Sequence, residues 1–60
     1  MMWLARDLRF DALCMYEEKP IRQEDVFKPR YGGFYYLNKD KYPEVTWENS
    51  PVKIEITLKL

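Results

Sequence analysis

"MWLARDLRFDALCMYEE", residues 2–18, is the stretch on which the fold turns, because it admits two readings with opposite consequences. On a helical wheel Leu4, Ala5, Leu8, Ala12 and Met15 share one face, and Ala, Leu, Met and Arg are good helix formers. The same wheel puts Trp3, Phe10, Leu13 and Cys14 on the opposite face. Read the other way, "MMWLA" and "ALCMYEE" are apolar runs of strand length, separated by "RDLRFD", which is polar enough for a loop although it lacks Gly. Propensity alone does not choose between them.

The far end of the chain is plainer. In "VKIEITLKL", Val52, Ile54, Ile56, Leu58 and Leu60 alternate with Lys53, Glu55, Thr57 and Lys59, a period of two. A helix would gather residues 52, 55, 56 and 59 and mix charge into the apolar face, so the pattern predicts a strand over Val52–Leu60 with one aliphatic and one charged side. Pro51, which lacks an amide proton, marks where pairing begins. Upstream, Gly32 and Gly33 permit a turn, and Phe34–Leu37 is a short strand. "NKDKYP" places Asn38 at a cap position with Pro43 forbidding continuation, which predicts a single helical turn or tight loop. The segment "EKPIRQEDVFKPRYGG" reads as irregular chain with a short strand at Asp25–Lys28.

Three motifs resemble a family of short uncharacterised proteins of gut bacteria and their phages: "WLARD", "YEEKPIR" and "YPEVTWENSP" followed by an alternating tail. The matching positions are Trp3, Ala5, Arg6, Asp7, Lys19, Pro20, Pro43, Glu44, Val45, Thr46, Trp47 and Glu48. The family pattern leads from a tryptophan-containing first strand through a Gly-containing turn into a second strand ending in Lys-Pro, and "LRFDA" stands here in place of that turn. The resemblance implies a hairpin at the N-terminus. It carries no activity, cofactor or functional residue.

The expected fold is therefore mainly β: one small domain over residues 1–60, an antiparallel sheet of three to five strands with one short helical turn. Its apolar face is expected to hold Trp3, Leu13, Met15, Trp47, Ile54, Ile56 and Leu58. Pro43 and Pro51 bracket the segment that carries Trp47, and each lowers unfolded-state entropy, worth about 0.4–1 kcal/mol where the native geometry permits. Trp47 reads as the core anchor, with truncation to Ala costing about 3–5 kcal/mol. "ENSP" reads as a turn.

A chain of 60 residues sits near the size at which disulfides, metals or partner subunits supplement the core. The single cysteine, Cys14, allows no internal bridge; between Leu13 and Met15 it reads as a small buried hydrophobe of a reducing compartment. Without histidine, the usual zinc ligand sets have no counterpart, so no metal or other cofactor is expected. Self-association is left, and the long C-terminal strand predicts a two-fold dimer through its edge, with Lys53 and Lys59 as the usual guards against it. "MMWLARD" reaches charge too early for a signal peptide or a membrane span, so a cytoplasmic protein with no membrane partner is expected.

Catalysis is not expected. Cys14 and Ser50 have no base that the sequence names, and the acidic pairs Glu17–Glu18 and Glu24–Asp25 need a pocket of about 300 Å³ or more, hard to carve from so small a core. Ten basic and ten acidic side chains cancel, which removes long-range attraction to nucleic acid. Protein–protein contact is therefore the expected mode, in an interaction or accessory role. The alternative is single-stranded nucleic-acid binding by residues 27–42, where Lys28, Arg30, Lys39 and Lys41 face Asp40 alone among aromatics, with Lys28, Arg30, Tyr31, Tyr35, Lys39 and Lys41 as the candidate surface.

Overall fold

The computed structural model describes residues 2–54. The N-terminal stretch is a hairpin: β1 (Met2–Arg6) runs antiparallel to β2 (Leu13–Tyr16), pairing Trp3 with Tyr16 and Arg6 with Leu13. Its loop closes through a hydrogen bond from the Asp7 amide to the Ala12 carbonyl at 3.0 Å. No glycine is needed, because Asp11 takes the left-handed conformation at φ 53°, one that Asp tolerates better than most residues with a side chain.

Four more strands follow: β3 (Ile21–Gln23), β4 (Val26–Lys28), β5 (Phe34–Leu37) and β6 (Val52–Ile54). The main sheet has the order β5-β2-β1-β6, and β3 and β4 form a separate two-stranded ribbon. All pairings are antiparallel. The strand anticipated at Asp25–Lys28 exists, but the irregular chain before it does not: Ile21–Gln23 pairs with it residue for residue, across a two-residue turn in which Glu24 takes φ 57°. Of the anticipated strand Val52–Leu60, Val52–Ile54 is present and pairs with β1 at one edge of the sheet; Glu55 to Leu60, with Ile56 and Leu58, lie outside the described residues.

Among the described residues there is no helix, and so none long and apolar enough to cross a membrane. Of the helical turn or tight loop anticipated at residues 38–43, the loop is what forms, as a pair of tight turns closed from Lys41 N–H to the Asn38 carbonyl and from Val45 N–H to the Tyr42 carbonyl, each at 3.0 Å. Asn38 does not cap a helix. Its side-chain oxygen accepts from the Asp40 amide at 2.9 Å, a local bond that competes with helical continuation.

The single apolar face is replaced by two. Side chains alternate along a strand, so register decides who meets whom. Trp3, Ala5, Cys14 and Tyr16 share the front face, whereas Leu4, Leu13, Met15, Leu37, Val52 and Ile54 share the back. Each face has its own cover. Phe27 of β4 and Trp47 close over the front, and Tyr42 and Val45 close over the back. Trp3 and Trp47 therefore do not share a face with Leu13, Met15 and Ile54 as anticipated. Trp47 is a half-buried lid rather than a central plug, its ring 5.2 Å from that of Phe27. The largest fully buried side chains are Leu4 and Leu13, each 1% exposed.

Arg6 binds the back cover to the sheet. Its guanidinium donates from Nε to the Val45 carbonyl at 2.6 Å and from Nη2 to the carbonyls of Lys39 at 2.9 Å and Tyr42 at 3.0 Å. Nη1 reaches Asp11 at 3.4 Å. The backbone amide of the same residue donates to Ser50 Oγ at 3.0 Å, and that hydroxyl donates onward to the Thr46 carbonyl. Asp7 does the matching work in front, accepting from the Phe27 amide at 2.9 Å, while the amides of Leu8 and Arg9 both donate to the Asp25 carbonyl at 3.0 Å. Adjacent residues thus fasten opposite covers.

Arg6→Lys keeps the charge but replaces a planar fork with a point donor, leaving buried carbonyls unpaired. Loss of about 3–5 kcal/mol is expected, enough to abolish cooperative unfolding in so small a domain. Thermal melts followed by circular dichroism check it. Arg9→Ala, which removes an exposed pair with Asp25 at 3.7 Å, should melt like the parent.

Candidate functional site

One edge of the main sheet is left open. β5 pairs with β2 on one side, Tyr16 opposite Phe34 and Leu13 opposite Leu37, and among the described residues has no strand on the other. Which of its backbone groups face outward follows from the ladder. Glu17 donates its amide to the Gly33 carbonyl at 3.3 Å, so residue 33 is a hydrogen-bonded position. Such positions alternate in an antiparallel pair. Tyr35 and Leu37 therefore bond to β2, and the amides and carbonyls of Phe34 and Tyr36 point away from the sheet.

The side chains of the strand are unusually bare for their type. Phe34 is 39% exposed, Tyr35 52% and Tyr36 75%. On the front face Phe34 stacks on buried Tyr16, centroids 5.6 Å apart and planes at 23°, and Tyr36 meets Phe34 edge-on at 5.6 Å. Tyr35 projects from the back, its hydroxyl donating to Glu17 Oε1 at 3.4 Å. The turn that feeds the strand is built at Gly32, whose φ of 83° suits glycine and strains other residues.

The six candidate residues from the sequence bracket this strand rather than forming one surface. Lys28 ends β4, Arg30 and Tyr31 lie in the bend before β5, and Lys39 and Lys41 lie in the turn after it; all are exposed. Tyr35 is separated by the pleat from the stacked pair Phe34 and Tyr36, the rings best placed for stacking. Simple alternation along "FYYL" already contained that split.

A second basic and aromatic grouping, Arg22 with Trp47, is brought together from distant parts of the chain. The Arg22 guanidinium lies 4.0 Å from the Trp47 ring centroid and donates to the Trp47 carbonyl and, at 3.3 Å, to that of Ser50. Trp3 has Lys19 at 5.5 Å and Lys53 at 5.9 Å over its ring. No local motif announces these contacts, since their residues lie 25 or more positions apart in the Arg22–Trp47 case.

The largest opening is not carved from the core. A cleft of about 540 Å³ opens where the covers meet, lined by Arg6, Asp7, Asp11, Lys39, Asp40 and Glu48 among others. It is an open groove between covering segments, so its volume does not come out of the core. Arg6 there spends its donors on backbone carbonyls, and Asp7 accepts from Phe27. Among the described residues no three potential metal ligands converge.

Cys14 is buried at 3% exposure. Burial first, and the nearby Asp7 carboxylate second, push its thiol pKa up. Tyr16 is raised as well, by burial first and then by Cys14 and Asp7. A thiol held protonated is a poor nucleophile, which argues against covalent chemistry at Cys14. Comparison with family models, with curated proteins and with solved structures finds no match.

Both raised groups bind their proton more tightly in the folded chain. Stability should be fully present below the free-thiol range near about 8.5 and fall as pH rises through it and then through the phenol range near about 10. Denaturant midpoints measured across that span check the slope, and Cys14→Ala should flatten its first part. Iodoacetamide should label Cys14 only as fast as the fold opens.

Proposed function

We propose that this chain is a non-enzymatic recognition module that binds a protein partner by accepting an extended strand along the free edge of β5. One observation carries the reading: Phe34 and Tyr36 present outward backbone donors and acceptors on a strand with no charge, no proline and no bulge. Exposed edges are ordinarily blunted by Lys, Pro or a covering loop. The opposite edge has such guards, with Pro51 at the start of β6 and Lys53 within it. Strand addition supplies affinity through main-chain bonds and selectivity through alternate side chains, here the Phe34–Tyr36 pair in front and Tyr35 behind.

Nucleic acid is the competing partner. Tyr31, Phe34 and Tyr36 are exposed rings flanked by Arg30, Lys39 and Lys41, the combination that stacks bases and tracks phosphates. The protein reading is preferred because the cations sit beyond both ends of the strand and the chain is neutral overall.

Proline substitution separates edge from ladder. Tyr36→Pro removes an outward amide and should leave the fold intact, whereas Tyr35→Pro removes an amide bonded to β2 and should destabilise by about 3 kcal/mol. Peptides selected from a displayed library should bind the parent and lose binding to Tyr36→Pro. Saturable, salt-sensitive binding of a labelled single-stranded oligonucleotide, lost on replacing Lys28, Arg30, Lys39 and Lys41, would instead assign the surface to nucleic acid.

A further inference from the structure

Resting on the strand-addition reading, we infer that the occupant of the β5 edge is a second copy of this chain, paired antiparallel about a two-fold axis at Tyr35. A two-fold axis normal to a sheet keeps front side chains in front, so residues directly opposite each other must share a face. That leaves registers centred on Phe34, on Tyr35 or on Tyr36. Centring on Phe34 sets Tyr36 against Gly32, which is turned out of line at φ 83°. Centring on Tyr36 sets Phe34 against Asn38, whose side chain is committed to the following turn. Centring on Tyr35 pairs Phe34 of each copy with Tyr36 of the other, and these are the residues whose amides and carbonyls point outward. Only this register satisfies both free positions from within the strand, twice over.

Side chains agree with the backbone. In front, the Tyr16–Phe34–Tyr36 ring cluster of one copy would run on into the same cluster of the other through two cross-strand Phe–Tyr pairs, a favoured combination. Behind, Tyr35 meets Tyr35. A neutral chain sets no long-range repulsion against this. The assembly forms through β5, where no guard stands, and not through the C-terminal strand.

The register predicts its own crosslink. Residue 35 faces its symmetry mate as a non-hydrogen-bonded pair, with Cα atoms about 4.5 Å apart, whereas residue 36 lies diagonal to its mate, beyond the reach of a disulfide at about 7 Å. Native Cys14 is buried and silent. Under mild oxidation Tyr35→Cys should form a covalent dimer of twice 7.4 kDa several-fold faster than Tyr36→Cys or Phe34→Cys, and an equimolar mixture of the last two should crosslink to each other. Sedimentation equilibrium of the parent in the micromolar range should show a monomer–dimer equilibrium that Tyr36→Pro abolishes without changing the circular dichroism. Faster crosslinking of Tyr36→Cys than of Tyr35→Cys would overturn the register. A parent that stays at 7.4 kDa while a library peptide still binds the β5 edge would overturn the second copy and spare strand addition; failure of both would end both.

Discussion

A buried guanidinium holds this fold together. Arg6 is 8% exposed and sits at the end of β1, where its fork collects the carbonyls of Lys39, Tyr42 and Val45 from a segment with no strand pairing of its own. Each carbonyl turned inward without a donor would cost about 1–3 kcal/mol. Arginine alone among side chains offers five donors in a fixed plane, so one residue can satisfy several backbone groups that arrive from different directions. The loop carbonyls in turn solvate the charge. Among the described residues only Asp11 comes within ion-pair distance, at 3.4 Å and largely exposed, so the ion is stabilised by dipoles more than by a counter-charge.

That arrangement answers the problem of size. A four-stranded sheet with one cover would bury a single thin layer, too little for so short a chain. Here both faces are covered by segments of little regular structure: a two-stranded ribbon in front, and consecutive turns behind. Arg6 and Asp7, neighbours in sequence, anchor one cover each, because successive residues leave the end of a strand toward opposite sides. The segment from Val45 to Trp47 passes from back cluster to front cluster, and Arg22 from the ribbon donates to carbonyls at its far end. Front and back are thereby tied to each other as well as to the sheet, which favours unfolding as one unit.

Pattern alone revealed the elements whose information is local. Alternation marked Val52–Ile54 and paired glycines marked the turn before β5, whereas the apolar runs at residues 2–18 fitted a helix as well as two strands. What escaped was relational. Ile21–Gln23 is only three residues long and exposed at every position, so it has no buried face to impose a period; it exists because β4 pairs with it. Assigning Trp3 and Leu13 to one face failed because face membership depends on register across the hairpin, and an unusual loop with Asp11 in the left-handed conformation set that register. Arg6 looked like one charge among many, since its partners lie 33 to 39 positions away. Of the candidate surface, composition found the right neighbourhood and the pleat then divided it, setting Tyr35 apart from Phe34 and Tyr36.

The edge at β5 stands out against this economy. Elsewhere, polar groups are matched with care: among the described residues no buried side-chain nitrogen or oxygen lacks a partner, and even Ser50 relays a hydrogen bond between strand and loop. The sheet's other edge is broken by proline and charged by lysine. A sequence that manages its backbone this closely, yet leaves consecutive aromatic residues on an unguarded strand, breaks its own rule at one place. Local violations of otherwise consistent design concentrate where a protein meets something else. Covering β5 would have taken little: one lysine among four residues. That missing guard is the feature on which the proposed strand addition at β5 rests.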